Sequence, residues 1–380
     1  MPVYAWGLRQ LLFLFPPDVA HAMAFAGLAP VEHMAPLRAL VRALHAPRDP
    51  RIAVRAMGLD FASPVGLAGG FDKNALRPRA LAALGFGHLE LGTVTAMAQD
   101  ANPQPNLFRL PDDRALVNRL GFPNEGATRV AARFRARGLG RWATGGGSGG
   151  ARVPSGISIG KSRAVPIDDL DRVVQDYLAS FGPARAAGAD FVVVNVSSPN
   201  TKDLRAMQQA PVAKVLLEAI AKANQSAAEG RSGAPVPVLL KIAPDLDDAG
   251  VEALLAVVEE VGLAGVVATN TTIARSGLAT PAERVEAIGA GGLSGAPLRA
   301  RALEVVRRVR ARLGKAPVVV GVGGISTAEH AMAMVRAGAD LVQLYTGFIY
   351  EGPGVAARIG RELGAMVARE GATTLAELRG

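Results

Sequence analysis

The stretch Asn195-Val196-Ser197-Ser198-Pro199-Asn200-Thr201 places five hydroxyl or amide side chains directly behind the apolar run Phe191-Val192-Val193-Val194. An apolar run that ends in a polar cluster reads as a buried strand delivering donors and acceptors to a site above the sheet. Pro199 has no N–H to give a ladder, so the strand stops there and its neighbours face whatever lies beyond. Ser197 and Ser198 are equal candidates for a reactive hydroxyl on composition. A Ser/Asn/Pro turn without chemistry would look the same locally, so the rest of the chain decides.

Other short apolar runs end in the same way. Ala68-Gly69-Gly70-Phe71-Asp72-Lys73-Asn74, Gly92-Thr93-Val94-Thr95, Gly160-Lys161 and Thr269-Asn270-Thr271-Thr272 each follow one, and Lys241 ends another. Polar residues at so many strand ends favour one site over scattered turns. Gly321-Val322-Gly323-Gly324-Ile325 and Thr346-Gly347-Phe348 follow the last two runs, where glycines let main-chain N–H groups close on a phosphate. Gly291-Gly292-Leu293-Ser294-Gly295 reads as a further turn of that kind. None of these is a GxxxxGK[ST] loop, which argues against P-loop ATP hydrolysis.

A phosphate groove beside amides, hydroxyls and a buried-looking lysine describes a flavin mononucleotide pocket, with Lys241 offsetting negative charge on a reduced ring. A phosphosugar or nucleotide would use the same groove, and Lys241 would then simply bridge carboxylates at the rim. The chain has no cysteine, which excludes thiolate nucleophiles, cysteine-ligated iron–sulfur clusters and Cys-type zinc sites. Redox chemistry here needs a bound organic cofactor, and no metal site is read from the sequence.

The elements that must position these residues alternate. Strands are expected at residues 65–68, 88–91, 156–159, 191–195, 238–242, 265–269, 318–321 and 341–345, with helices at 76–84, 170–187, 212–223, 250–261, 299–313 and 327–337. Eight such units predict an α/β fold, a (β/α)8 TIM barrel, with a doubly wound open sheet as the structural alternative. The first 45 or so residues read as two or three short helices with basic flanks, either a cap on the main domain or a monotopic membrane contact. No run there approaches the roughly 20 apolar residues of a membrane span, and 11–15 is too short for a signal-peptide core. The glycine-rich stretch near 144–151 is expected to be an inserted surface loop. The net charge of +9 is spread along the chain without a basic block interleaved with aromatics, so phosphate ligands or an anionic membrane fit better than nucleic acid.

These motifs, in this order, resemble the class 2, quinone-dependent dihydroorotate dehydrogenases along essentially the whole length. The resemblance rests on the strand-end stretches above together with Leu107-Phe108-Arg109-Leu110, Asn118-Arg119-Leu120-Gly121-Phe122 and Lys241-Ile242-Ala243-Pro244-Asp245. It implies oxidation of dihydroorotate to orotate in pyrimidine synthesis, with hydride to FMN and electrons onward to a membrane quinone. It also chooses between the serines: the family's base corresponds to Ser198, and Thr201 is assigned to a proton relay, because a serine hydroxyl is a weak base that needs an exit for its proton. Class 1 relatives use cysteine as base, which this chain lacks.

The resemblance carries substrate contacts to Lys73, Asn118, Arg119, Leu120, Gly121, Phe122, Asn195, Asn200, Asn270 and Thr271. FMN contacts carry to Gly69, Gly70, Phe71, Asp72, Lys73, Thr93, Ser158, Asn195, Lys241, Thr269, Gly295, Gly324, Tyr345 and Thr346. His21, Arg109 and Tyr345 match the polar residues of the family's quinone tunnel. Residues 1–48 then form a helical segment for membrane and quinone access, and residues 49–380 the barrel that binds FMN and dihydroorotate. Ser158 and Ser162 stand where the family usually has asparagines, which predicts weaker cofactor retention. A monomeric, peripheral enzyme on the cytoplasmic side of the cell inner membrane is expected, since no Arg/Ser-rich transit segment precedes the first helix. The alternatives are a related FMN barrel with a soluble acceptor and a non-catalytic phosphate-binding barrel at a membrane.

Overall fold

A computed structural model of the chain describes residues 4–142, 152–229 and 234–380. Eight parallel strands close a barrel in sequence order: Val65–Leu67, His88–Val94, Ser155–Ile159, Val192–Asn195, Val238–Ile242, Gly265–Ala268, Val318–Val322 and Leu341–Leu344, the last pairing back onto the first. All eight lie where short, largely apolar runs predict them, because strands covered on both faces need no polar alternation. Register matters at the mouth: Asn195 lies opposite Lys241, and Ala268 opposite both Ile242 and Gly321.

Helices pack outside the barrel, and their starts are written in the sequence. Asp169, Asp247 and Thr327 each accept a backbone N–H at the first turn of Leu170–Ala186, Asp248–Val261 and Ala328–Arg336. Helix Ala127–Ala136 was not expected. Its buried stripe of Ala127, Val130, Ala131 and Phe134 is interrupted by arginines that mask the periodicity.

The stretch from Gly291 to Gly295 is corrected by the structure. Gly292–Gly295 is a strand of a three-stranded antiparallel sheet with Leu107–Leu110 and Ala115–Asn118, not a free turn. Its glycines answer close packing: an added Cβ at Gly292 would lie 2.0 Å from Thr271 Oγ1, and one at Gly295 2.4 Å from Arg114 O. The glycine-rich insertion expected near 144–151 lies outside the described residues.

The N-terminal segment is a π-turn at Tyr4–Leu8 followed by α1 (Arg9–Phe13), α2 (Pro17–His33) and α3 (Ala35–His45). It is docked on the barrel side by polar contacts. Glu32, fully buried on α2, accepts from Ala80 N at 3.0 Å and faces Arg137 at 3.4 Å, while Arg77 Nε donates to Phe25 O at 3.1 Å. Of twelve large hydrophobic side chains exposed among the described residues, nine lie on this segment, Leu14 and Leu44 most of all. That concentration marks a surface made to meet something apolar. No helix of the described residues is long and apolar enough to cross a membrane.

The far end of the barrel is closed by a hairpin of Val54–Ala56 and Leu59–Phe61. Inside it His88 fills the space that Gly66 leaves, where a Cβ would lie 2.2 Å from the imidazole, and Phe61 and Phe191 stand edge-on to the ring. Neither ring nitrogen has a partner, and burial pushes the pKa down to about 3. A folded-state pKa below the unfolded value leaves stability intact above about pH 6.5 and removes it as pH falls toward 3, at up to about 1.4 kcal/mol per unit. His88→Leu is therefore expected to lose less melting temperature than the parent protein between about pH 7.5 and 5. Parallel profiles for the two proteins would refute this role for the histidine.

Candidate functional site

The strand ends on the other side converge on one cavity. Barrel strands one and two bring Ala68, Gly69, Gly70, Lys73 and Thr93 to its wall, strand four Asn195, Ser198 and Asn200, strand five Lys241, and strand six Thr269, Asn270 and Thr271. The last two strands add Val322, Gly323, Gly324, Ile325, Gln343, Tyr345, Thr346 and Gly347, and the antiparallel sheet adds Leu116, Asn118, Ser294 and Gly295. Leu107, Leu120, Gly121, Phe122 and Leu298 complete it.

An amide network shapes the cavity. Asn200 Nδ2 donates to Asn118 Oδ1 at 2.8 Å, and Asn270 Nδ2 to Ser197 Oγ at 2.9 Å and Asn195 Oδ1 at 3.3 Å. Asn195 Nδ2 donates to Thr93 Oγ1 at 3.0 Å. Three oxygens are left over: Asn200 Oδ1, Thr271 Oγ1 and Gln343 Oε1 are buried without a partner. An unpaired buried acceptor costs about 1–3 kcal/mol, so such atoms in a cavity wall mark where a ligand's donors go.

The two serines separate here. Ser197 Oγ is fully engaged, donating to Asn195 Oδ1 at 3.1 Å and accepting from Asn270, and it does not line the cavity. Ser198 Oγ lines it and accepts only from Asn200 N at 3.2 Å, which leaves its own proton free. Thr201 stands behind the wall, its Oγ1 buried and without a partner, so no direct hydrogen bond joins it to Ser198.

Two lysines enter from opposite sides. Lys73 Nζ donates to Gly70 O at 2.6 Å, and burial, which outweighs the pull of Asp72, lowers its pKa to about 8. Asp72 itself is turned away from the cavity and accepts from Leu76 N and Arg77 N, both at 2.8 Å, fixing the loop that carries Lys73. Lys241 Nζ lies 3.0 Å from Glu90 Oε1, with 6% and 0% of the two side chains exposed. Lys241 is thus paired with a carboxylate and also lines the cavity. Gly69 must be glycine over this pair, since a Cβ would lie 2.4 Å from Glu90 Oε1.

At the far end the backbone is bare. Gly324 has φ +68, and a Cβ on Gly347 would lie 2.1 Å from Ile325 O. Arg299 Nε holds Gly324 O at 2.9 Å, and Ser294 Oγ and Thr346 Oγ1 are 2.8 Å apart. Exposed main chain, two hydroxyls and neighbouring cations fit a phosphate group.

Three residues expected to touch a cofactor do not line this cavity. Ser158 is fully buried behind Thr93, with their hydroxyls 3.0 Å apart, Asp72 caps backbone, and Phe71 belongs to a second cavity. Arg119, expected at the substrate, points outward to Ile288 O and Pro105 O and stacks on Phe108. A strand serine on the inner face of the barrel that braces a lining threonine has a supporting role that residue type does not reveal.

The second cavity, of about 420 Å³, lies between the N-terminal segment and the barrel. It is lined mostly by apolar groups such as Leu8, Leu12, Phe13, Met23, Phe348 and Ile349, with His21, Arg109 and Tyr345 as polar points. Arg109 Nη1 donates to Phe15 O at 2.8 Å and its guanidinium lies 4.4 Å above the Phe13 ring, so it ties α1 to the barrel. Burial, aided by the nearby Lys73, lowers the His21 pKa to about 4 and keeps the ring neutral. Phe71 packs against His21 at 5.1 Å and Tyr345 at 5.9 Å, and Tyr345, Leu107 and Leu116 line both cavities. The two cavities share a wall one side chain thick.

A family model described as dihydroorotate dehydrogenase matches residues 51–367. The chain belongs to the dihydroorotate dehydrogenase family. Within that family, a dihydroorotate dehydrogenase (quinone) of Thermobifida fusca is 46% identical over 381 residues, covering 100% of this chain and 96% of the relative. One from Nocardia farcinica is 47% identical over 376 residues, covering 98% of this chain and 95% of its own length. Both alignments include the N-terminal helices that precede the family match. A crystal structure of DHODH from Eimeria tenella in complex with ferulenol superposes with a TM-score of 0.84 at 32% identity, covering 96% of this chain and 95% of the other. The dihydroorotate dehydrogenase fold thus accounts for the barrel and for the segment docked on it.

Sequence reasoning assigned no role to Glu90, Arg205 or Ser294. For Glu90 a signal existed: a lone carboxylate within an apolar strand must find a buried partner.

Proposed function

We propose that this chain oxidises (S)-dihydroorotate to orotate, the ring-desaturating step of pyrimidine synthesis, and passes the electrons to a membrane quinone. The observation that carries this reading is one free serine hydroxyl among four asparagines and Lys73, in a cavity that shares the Tyr345 wall with a second, apolar cavity. The lysine suits the substrate carboxylate, and Asn118, Asn195, Asn200 and Asn270 suit ring amides and carbonyls. Ser198 takes the C5 proton as general base, and Thr201 receives it through a bridging group.

FMN fits the remaining features: Gly295, Gly324, Ser294 and Thr346 would hold its phosphate, and Thr93, Asn195, Lys241 and Thr269 its ring. When bound it supplies the hydride acceptor for C6. The paired Lys241 presents a fixed positive charge where reduction adds negative charge. Bracing of Thr93 by Ser158 predicts that Ser158→Asn disturbs the wall instead of strengthening cofactor retention.

The apolar cavity favours a quinone over a soluble acceptor. Residues 1–48 serve as membrane and quinone access on a barrel of residues 49–380, and the exposed apolar side chains of α1 to α3 rest on the cytoplasmic side of the inner membrane, the enzyme acting as a peripheral monomer. Anaerobic mixing of the yellow protein with dihydroorotate is the test. Bleaching of the flavin band, followed by its return on adding a quinone, is the expected result, and no bleaching would sink the reading.

The Lys73 pKa adds a pH dependence. Its charged form holds the carboxylate, and that form is lost as pH rises through about 8. Orotate affinity, read from the flavin spectral shift, is expected to weaken up to about tenfold per unit above that point. Lys73→Gln should bind weakly at every pH and show no such limb; a limb that survives in the variant belongs to another group.

A further inference from the structure

We propose that Arg205 is a positioning residue that sets the reactive pose of Ser198 by tying three strand-end loops together. The inference rests on Ser198 being the base. Arg205 lies on the short helix Leu204–Gln208, which follows the strand-four loop directly. Its Nε donates to Ser197 O at 3.3 Å, its Nη2 to Thr271 O at 3.0 Å, and its Nη1 pairs with Asp245 Oδ2 at 2.8 Å. These acceptors belong to the loops after strands four, six and five. Both charged side chains are about four-fifths buried, at 22% and 18% exposed, so solvent screens the pair only partly.

Asp245 extends the tie. Its carboxylate also accepts from the Thr272 hydroxyl and from Ile273 N at 3.2 Å, so the strand-six loop is held from two directions. Ser197 is gripped on its carbonyl by Arg205 and on its hydroxyl by Asn270. Ser198 hangs from that carbonyl, and Pro199 confines its backbone to extended conformations. The Ser198 hydroxyl has one local contact, the backbone N–H of Asn200. Its direction therefore comes from the main chain, and Arg205 is what fixes that main chain relative to Asn270 and Thr271, the groups that face the substrate. A planar guanidinium presents donors in a fixed fork to three acceptors, which an ammonium on a flexible stem does not reproduce.

A base displaced by about 1 Å loses on the order of 100-fold in rate, whereas binding spread over several contacts is affected less. In flavin-loaded Arg205→Gln, stopped-flow reduction at saturating dihydroorotate is expected to fall about 10- to 100-fold while the orotate dissociation constant changes less than about threefold. Asp245→Asn moves both quantities in the same direction by less. The decisive comparison is in a Ser198→Ala background, where adding Arg205→Gln should slow reduction no further, because the group it positions is gone. An equal further slowing there, or an unchanged rate in the single variant, overturns the proposal. If Arg205→Gln fails to retain flavin, Arg205→Lys carries the same cycle, and a variant altered only in melting temperature also counts against it. A parent enzyme that dihydroorotate does not bleach would refute the functional reading instead.

Discussion

Ser198→Ala is expected to slow flavin reduction by dihydroorotate by about 10²- to 10⁴-fold, the usual contribution of a positioned general base, while orotate binds within about threefold of the parent affinity. The asymmetry follows from what the hydroxyl touches. Its single bond is from Asn200 N, so removing it orphans no buried side chain and leaves the amides of Asn118, Asn195, Asn200 and Asn270 in place. Ser197→Ala should do the reverse. It deletes a hydroxyl that holds Asn195 and Asn270 together, so orotate and flavin affinity fall before the proton step does. Rapid-mixing kinetics and orotate titrations on both variants decide the matter: an equal loss of reduction rate in Ser197→Ala, with affinities intact, would show that the base is the other hydroxyl.

The division between these two serines shows what kind of information a sequence carries. The barrel strands are legible because each is a short, largely apolar run bounded by turn residues, which needs only local residues to recognise. Which polar residues meet is legible too, since strand ends share one mouth. What Ser197 does differently from Ser198 depends on Asn270, and what Arg205 does depends on Thr271 and Asp245, partners that no local pattern identifies. The antiparallel sheet fails for the same reason. Gly292–Gly295 carries glycines that read as a turn, and only Thr271 and Arg114 packed against it explain them as a strand. Helix Ala127–Ala136 is hidden in the sequence by arginines set between its buried residues, of which Arg129 and Arg133 pair with Glu125. Thr201 and Ser158 both stand behind the cavity wall, and a residue type does not say whether a hydroxyl faces the cavity or braces the one that does.

The buried pair under the cavity gives the second large effect. Lys241→Met would leave the Glu90 carboxylate in the barrel interior with neither oxygen partnered, since Oε2 already lacks a partner and Oε1 has only Lys241. Breaking a buried pair on one side costs about 3–5 kcal/mol, whereas replacing both members by uncharged groups of similar size is often neutral. Denaturant unfolding should therefore find Lys241→Met clearly destabilised and the double variant Glu90→Gln/Lys241→Met close to the parent protein. Flavin reduction should not recover with stability, because the double variant still lacks the fixed positive charge; a loss of about 10²-fold is expected in both. Recovery of rate along with stability would mean that Lys241 serves only to neutralise Glu90. A single variant as stable as the double would mean that Glu90 does not depend on Lys241 for its place in the barrel interior, and the cation would then be held there for the cavity alone.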